Sequence, residues 1–227
     1  MFRLKKNGKL YSLKASYKNV KSTKLCTLIS DSFGNTISTV EHILSALYGF
    51  NIDNVYIDLD SNEVPVCDGS SKEFIALLKN SGYKSQDSFK KFIKIKKLVE
   101  VREGKKVVRV SPFDQTMITC EVEYDHRCIG KQSISFMLTP ELYGSQISQA
   151  RTFGFLKDVE KLRENGLALG GSLENAIVLD DNKVLNSNGL RYSDEFVRHK
   201  VLDLIGDISL AGYRIIGSIY ASHTGHE

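Results

Sequence analysis

An α+β fold is predicted for this chain by two patterns and by the way they recur. Short runs such as "KLYSLKASY" and "KLCTLIS" alternate apolar and polar residues with period two, as half-buried strands do. Other segments, "ISTVEHILSALYGF", "SSKEFIALLKNSG" and "DEFVRHKVLDLIGD", repeat their apolar residues at helical spacing. The second half of the chain then repeats the logic of the first: strands, a helix, and a helix that carries a histidine.

In order along the chain, residues 8–31 read as short strands and "DSFGN" as a turn at Gly34 and Asn35. The helix in "ISTVEHILSALYGF" has Ser38 or Thr39 as N-cap, Glu41 in its first turn and Gly49 near its end. "NVYIDLD" is an alternating strand, and "SSKEFIALLKNSG" is a second helix stopped at Gly82. The polar stretch 83–91 is the best linker, which divides the chain into domains 1–86 and 87–227. Four strands follow, in "KFIKIKKLVEV", "KKVVRVSPF", "MITCEVEYD" and "SISFML". "TPELYGSQISQARTF" leads into a helix over "LKDVEKLRENG", ended by Gly166. "NAIVLDD" and "KVLN" form a strand and turn, and a long helix over 194–210 precedes the closing strand "RIIGSIYAS". The two histidine helices share V-x-H-x-[LV]. This is either a chance likeness of amphipathic helices or a duplicated unit, and duplication predicts two pseudo-symmetric domains facing each other.

The chain has 227 residues, 41% hydrophobic and 26% charged, enough for one large domain or two small ones with a real core. Its net charge of +4 is concentrated in Lys5–Lys24 and "KKFIKIKK", where it alternates with apolar residues as on solvated strand faces. A modest positive field that favours an anionic ligand is the alternative. The absence of Trp and of an aromatic-rich basic segment speaks against a nucleic-acid binder. Four cysteines without CxxC or disulfide-framework spacing point to a reduced, cytoplasmic protein. The basic start lacks the apolar core of a signal peptide, and the most apolar region, 196–221, is interrupted by charged residues, so no stable membrane insertion is expected.

Three polar residues in the last helix need explaining, because each requires a partner once it leaves water. His199 and Asp203 stand one turn apart and address one centre, with a rise of about 6 Å between them. An imidazole and a carboxylate at this spacing form either a zinc-ligand pair or an ordinary hydrogen-bonded pair. Asp207 lies about 12 Å along the axis from His199, too far for the same coordination shell. A catalytic zinc needs a third protein ligand, and of the five histidines His42 stands out because Glu41 precedes it at a helix start. A Glu beside a ligand His acts as base on water in metal hydrolases, whereas a first-turn Glu and a satisfied histidine are the bland alternative. In "SHTGHE" the small residues before His226 suggest a turn presenting one imidazole, held protonated if it meets a carboxylate such as Asp207.

The blocks "STVEHILSALYGFNIDNVYIDLDSNEVPVCDGSS", "ARTFGFLKDVEKLRENGLALGGSLENAIV" and "LNSNGLRYSDEFVRHKVLDLIGDISLAGYRIIG" together resemble a known family. It is the zinc-dependent UDP-3-O-acyl-N-acetylglucosamine deacetylases of Gram-negative bacteria, which perform the committed step of lipid A biosynthesis. The resemblance covers nearly the whole chain. It implies two domains, each a β-sheet with two packed helices, the helices sandwiched between the sheets. It implies His42, His199 and Asp203 as zinc ligands, Glu41 as general base and His226 as the cationic partner, with Asp207 holding that imidazole. Thr152 matches a hydroxyl that polarises the substrate carbonyl, and Lys200 matches a contact to the sugar–diphosphate. Phe153 and residues 166–178 match walls of an acyl passage, with an insert near 155–180, and Tyr124 matches an aromatic beside uracil. A monomeric cytoplasmic enzyme acting on the UDP-sugar follows from the same likeness. Family chains are longer at both ends, with N-terminal strands and a G-x-H-[TS]-G turn, and Ser222 and His223 replace a usual Tyr-Lys pair. A shortened, inactive binding module and a related zinc N-acyl-sugar hydrolase are the competing expectations.

Overall fold

Strand β1 (Phe2–Lys6) turns through Asn7 and Gly8 into β2 (Lys9–Leu13). Both turn residues have positive φ, 51° and 74°, the backbone that a two-residue hairpin requires and that Asn-Gly adopts readily. In this computed structural model residues 1–159 and 170–226 are described. β1 also pairs in parallel with β6 (Ile57–Leu59), giving the order β2-β1-β6. After a 3₁₀ turn at Tyr17–Asn19, β3 (Val20–Ser22), β4 (Leu28–Ser30) and β5 (Thr36–Ile37) make a second, antiparallel sheet.

The larger sheet belongs to the second half of the chain. β8 (Val99–Glu103), β9 (Lys106–Ser111), β10 (Thr116–Tyr124), β11 (Gly130–Met137) and β14 (Arg214–Ser222) take the order β11-β10-β14-β9-β8. β7 (Phe92–Lys94) pairs in parallel with the first residues of β14. The single strand expected in "KFIKIKKLVEV" is therefore two strands. Its first part joins β14 and its second part joins β9, and the chain breaks between them to change partner. β12 (Phe153–Phe155) and β13 (Ile177–Leu179) form a short parallel pair.

Helix α1 (Glu41–Gly49) starts later than expected. Val40 precedes it and no side chain caps it, because Ser38 and Thr39 are engaged elsewhere: their hydroxyls donate to Asn62 O and Glu63 Oε1. α2 (Lys72–Ser81) ends at Gly82 with φ +67°, as the Gly stop predicts. α3 (Pro140–Gln146) was not anticipated. Thr139 caps it through the Leu142 amide at 3.2 Å, with Pro140 at its first position. The helix expected over "LKDVEKLRENG" begins at 156–159, and its remainder with Gly166 lies outside the described residues.

α4 (Glu195–Ser209) lies against α1. They approach closely at Gly206, where a Cβ would sit 2.1 Å from Glu41 O, so only glycine fits. One buried cluster runs from Phe2, Leu4 and Ile29 of the small sheets, through α1 and α4, to Ile118 and Ile219 of the large sheet. The polar stretch 83–91 is exposed throughout, while the core is continuous across it. A smaller cluster joins Ile177 and Leu179 of β13 to Ile129 and Phe196, with Phe153 and Phe155 of β12 packed against it.

Candidate metal centre

The contact between α1 and α4 brings polar groups from both helices into one buried place. α1 begins with Glu41 and His42, and α4 contributes His199 and Asp203 on its inner face. His199 Nε2 stands 3.3 Å and His42 Nε2 3.6 Å from Asp203 Oδ1, and the two imidazoles meet edge-on with centroids 5.1 Å apart. Each of the three offers one ligand atom within 4.8 Å of the others. His42 Nδ1 and Asp203 Oδ1 are buried without a hydrogen-bond partner, a costly state for a neutral pocket and the expected one for a site that takes a cation. Burial pushes the His199 imidazole down to about 3, so it is neutral with a lone pair to give. Burial disfavours the Asp203 carboxylate, but the Lys200 ammonium beside it holds it well below the usual range. Two imidazoles and a carboxylate suit a divalent cation.

The surroundings orient these groups. His199 Nδ1 donates to Ala150 O at 3.1 Å, and Lys200 Nζ donates to Asp203 Oδ2 at 3.0 Å. The segment 150–152 is itself fixed. Arg151 donates from its backbone and from Nε to Glu195 Oε1, at 3.0 and 2.9 Å, and Glu195 is fully buried at the first turn of α4. Thr152 N donates to Gly69 O at 2.8 Å. Gly69, with φ +83°, has Asn175 O where a Cβ would be, which accounts for the glycine in "VCDGSS".

Beside the cluster lies a cavity of about 290 Å³, whose wall includes Thr23, Leu25, Glu41, Thr152, Phe153 and His226 as well as the three candidate ligands and Lys200. Burial raises the Glu41 carboxyl above its ordinary value, and Glu41 Oε2 accepts from the Thr27 amide at 3.0 Å. His226 Nδ1 is 2.9 Å from Asp207 Oδ2. Burial pulls against its protonation, but that bond and the charges of Asp203, Asp207 and Glu41 push His226 up to about 9. Asp207 is not among the three candidate ligands and is bonded to His226 instead.

Of the residues singled out in the sequence, Glu41, His42, Thr152, Phe153, His199, Lys200, Asp203 and His226 all reach this cavity. Tyr124 is not in its wall. It packs behind it, with ring centroids 5.6 Å from Phe153 and 6.2 Å from Phe155. Residues 160–169 of the expected acyl-passage insert lie outside the described residues. His126 and His223 serve other partners, Asp180 O at 2.7 Å and Ser222 Oγ at 2.8 Å. Thr27 and the Arg151–Glu195 pair were missed. Arg151 stood inside the quoted A-R-T-F block, but Thr27 carries no motif and reads as an ordinary strand threonine.

The profile of a family described as UDP-3-O-acyl N-acetylglycosamine deacetylase matches residues 1–227. A UDP-3-O-acyl-N-acetylglucosamine deacetylase of Campylobacter hominis is 52% identical over 216 residues, covering 95% of this chain and 73% of the relative. A protein of the same name from Campylobacter lari is 52% identical over 94% of this chain and 72% of its own length. The corresponding protein of Haemophilus influenzae is 48% identical over 92% of this chain and 69% of its own. By the full-length profile match and this level of identity, the chain belongs to the UDP-3-O-acyl N-acetylglycosamine deacetylase family.

Proposed function

We propose that this chain hydrolyses the N-acetyl amide of UDP-3-O-acyl-N-acetylglucosamine, in lipid A biosynthesis, with a zinc ion held by His42, His199 and Asp203. The observation that carries the reading is the unpartnered Asp203 Oδ1 between two buried imidazoles, flanked in one cavity by Glu41 and His226. Zinc bound there supplies Lewis acidity toward the amide carbonyl and makes water a better nucleophile near neutral pH.

The remaining work falls to the chain's own side chains. Glu41 accepts a proton from the attacking water; burial makes its carboxylate a better base than an exposed one. The new C–O bond gives a tetrahedral carbon whose oxyanion is stabilised by the His226 imidazolium and the Thr152 hydroxyl, both in the cavity wall. As the C–N bond breaks, His226 gives its proton to the departing amine, leaving acetate and the free amino sugar. Asp207 keeps His226 charged and fixes its ring. Lys200 presents a cation to the anionic diphosphate, and Phe153 an apolar wall to the acyl chain. Tyr124, behind Phe153, supports that wall. Four free cysteines suit a reducing cytoplasm, and a single chain is taken to be sufficient for the chemistry. Among the described residues no helix is long and apolar enough to cross a membrane.

The test is metal analysis of the purified protein together with turnover of the substrate with and without its 3-O-acyl chain. Bound zinc and loss of turnover in Glu41→Gln are expected. A protein that binds no zinc, or a Glu41→Gln variant with full activity, overturns the mechanism, and equal turnover without the acyl chain overturns the substrate assignment.

A further inference from the structure

Thr27, 1% exposed and immediately before β4, directs every one of its polar groups at the two histidine helices. Its amide donates to Glu41 Oε2 at 3.0 Å, its hydroxyl is 2.6 Å from Asp207 Oδ1, and its carbonyl accepts from the Val40 amide at 3.3 Å. An ionised carboxylate only accepts, so the hydroxyl is the donor to Asp207. The other oxygen of Asp207 binds His226 Nδ1 at 2.9 Å. A continuous chain of hydrogen bonds therefore runs Glu41–Thr27–Asp207–His226. Its two ends are in the cavity wall, whereas Thr27 is not.

We propose that Thr27 is a positioning residue that sets the Glu41 carboxylate relative to the His226 imidazole. The proposal rests on the deacetylase reading above, in which one is proton acceptor and the other proton donor. A carboxylate free to turn about its last bond spends little time aimed at a water, and the same is true of an imidazole free to turn about its own. With Oε2 of Glu41 held by the amide, the second oxygen is left to face the cavity. With Oδ1 of Asp207 held by the hydroxyl, Oδ2 is left to face His226. Both restraints come from one residue whose carbonyl is tied to the residue preceding α1, so the two ends cannot drift independently. The link joins positions far apart in sequence.

Two substitutions separate the hydroxyl from the rest of the residue. Thr27→Val keeps the shape and the amide bond to Glu41 and removes only the donor to Asp207. Thr27→Ser keeps the donor. In the zinc-loaded protein, Thr27→Val is expected to lower kcat about 10- to 100-fold with KM within about twofold, the loss of one hydrogen bond to a charged group. Thr27→Ser is expected to restore kcat to within about threefold of the parent, and metal content is expected to stay unchanged in both. Unchanged kcat in Thr27→Val, a serine variant as poor as the valine one, or a kcat loss that tracks metal loss overturns the proposal. A second arm does not depend on turnover. The downfield proton signal of His226 Nδ1–H, assigned by its loss in His226→Gln, is expected to shift in Thr27→Val and return in Thr27→Ser. An identical signal in the valine variant overturns the positioning role. Absence of turnover in the parent protein counts against the deacetylase reading and leaves this arm to decide on Thr27.

Discussion

His199 Nδ1 donates to the carbonyl of Ala150 at 3.1 Å, and that bond decides which ring nitrogen keeps a lone pair. With Nδ1 protonated, Nε2 is the atom that faces Asp203 and His42. The segment that supplies the carbonyl also supplies Thr152, so the tautomer of His199 and the placement of Thr152 are set by one piece of backbone.

That backbone is held by Glu195, which accepts from Arg151 and from the Arg191 amide at 2.6 Å. Glu195→Gln leaves the Arg151 guanidinium buried without its counter-charge and is expected to cost about 3–5 kcal/mol. Urea unfolding of the two proteins measures this. A change below about 1 kcal/mol would show that the pair is not what fixes residues 150–152.

Removing a metal held by the proposed ligands His42, His199 and Asp203 should destabilise the protein, because such an ion would cross-link α1 and α4. With free metal about a thousandfold above its Kd the stabilisation is about 4 kcal/mol, which corresponds to a melting midpoint roughly 10 °C higher than with chelator. Differential scanning with and without chelator checks it, and His42→Ala should abolish the difference.

Close approach of the helices makes Gly206 sensitive. Gly206→Ala places a Cβ against Glu41 O, and separating α1 from α4 is expected to cost about 1–3 kcal/mol despite the better helix propensity of alanine. Metal affinity should fall with it, measured by competition with a chromophoric chelator. An alanine variant as stable as the parent contradicts the fit at this contact.

The bond to Asp207 and the neighbouring carboxylates push His226 up to about 9 from an ordinary 6.5, so in the proposed role of proton donor it would act below that value. The rate of deacetylation is expected to fall as pH rises through about 9. Stability follows the same sign: the contribution of the His226–Asp207 bond is fully present below pH about 6.5 and is lost as pH climbs through the folded value. Melting midpoints between pH 6 and 10 should show that loss in the parent and not in His226→Gln.

Much of this site was legible because its decisive spacings are local. His199 and Asp203 are a helical turn apart, Glu41 and His42 are adjacent, and the helical rise alone separates Asp207 from the cluster. The Asn7-Gly8 pair was an equally local signal for the β1–β2 hairpin, and it was passed over because the strand reading began at residue 8. The N-cap at Ser38 or Thr39 failed for a tertiary reason, since both hydroxyls are taken by residues 62 and 63. Thr27 was unreadable from the chain, because what distinguishes it is a contact with Asp207 that exists only after folding.

Neither α1 nor α4 carries a full donor set, and the two are joined through a glycine contact that admits no side chain. The order of assembly follows from this. A cation held by all three candidate donors would therefore need the helices docked first, in a pocket whose charged groups are already in place. Uptake of such an ion would then report that the two helices have met.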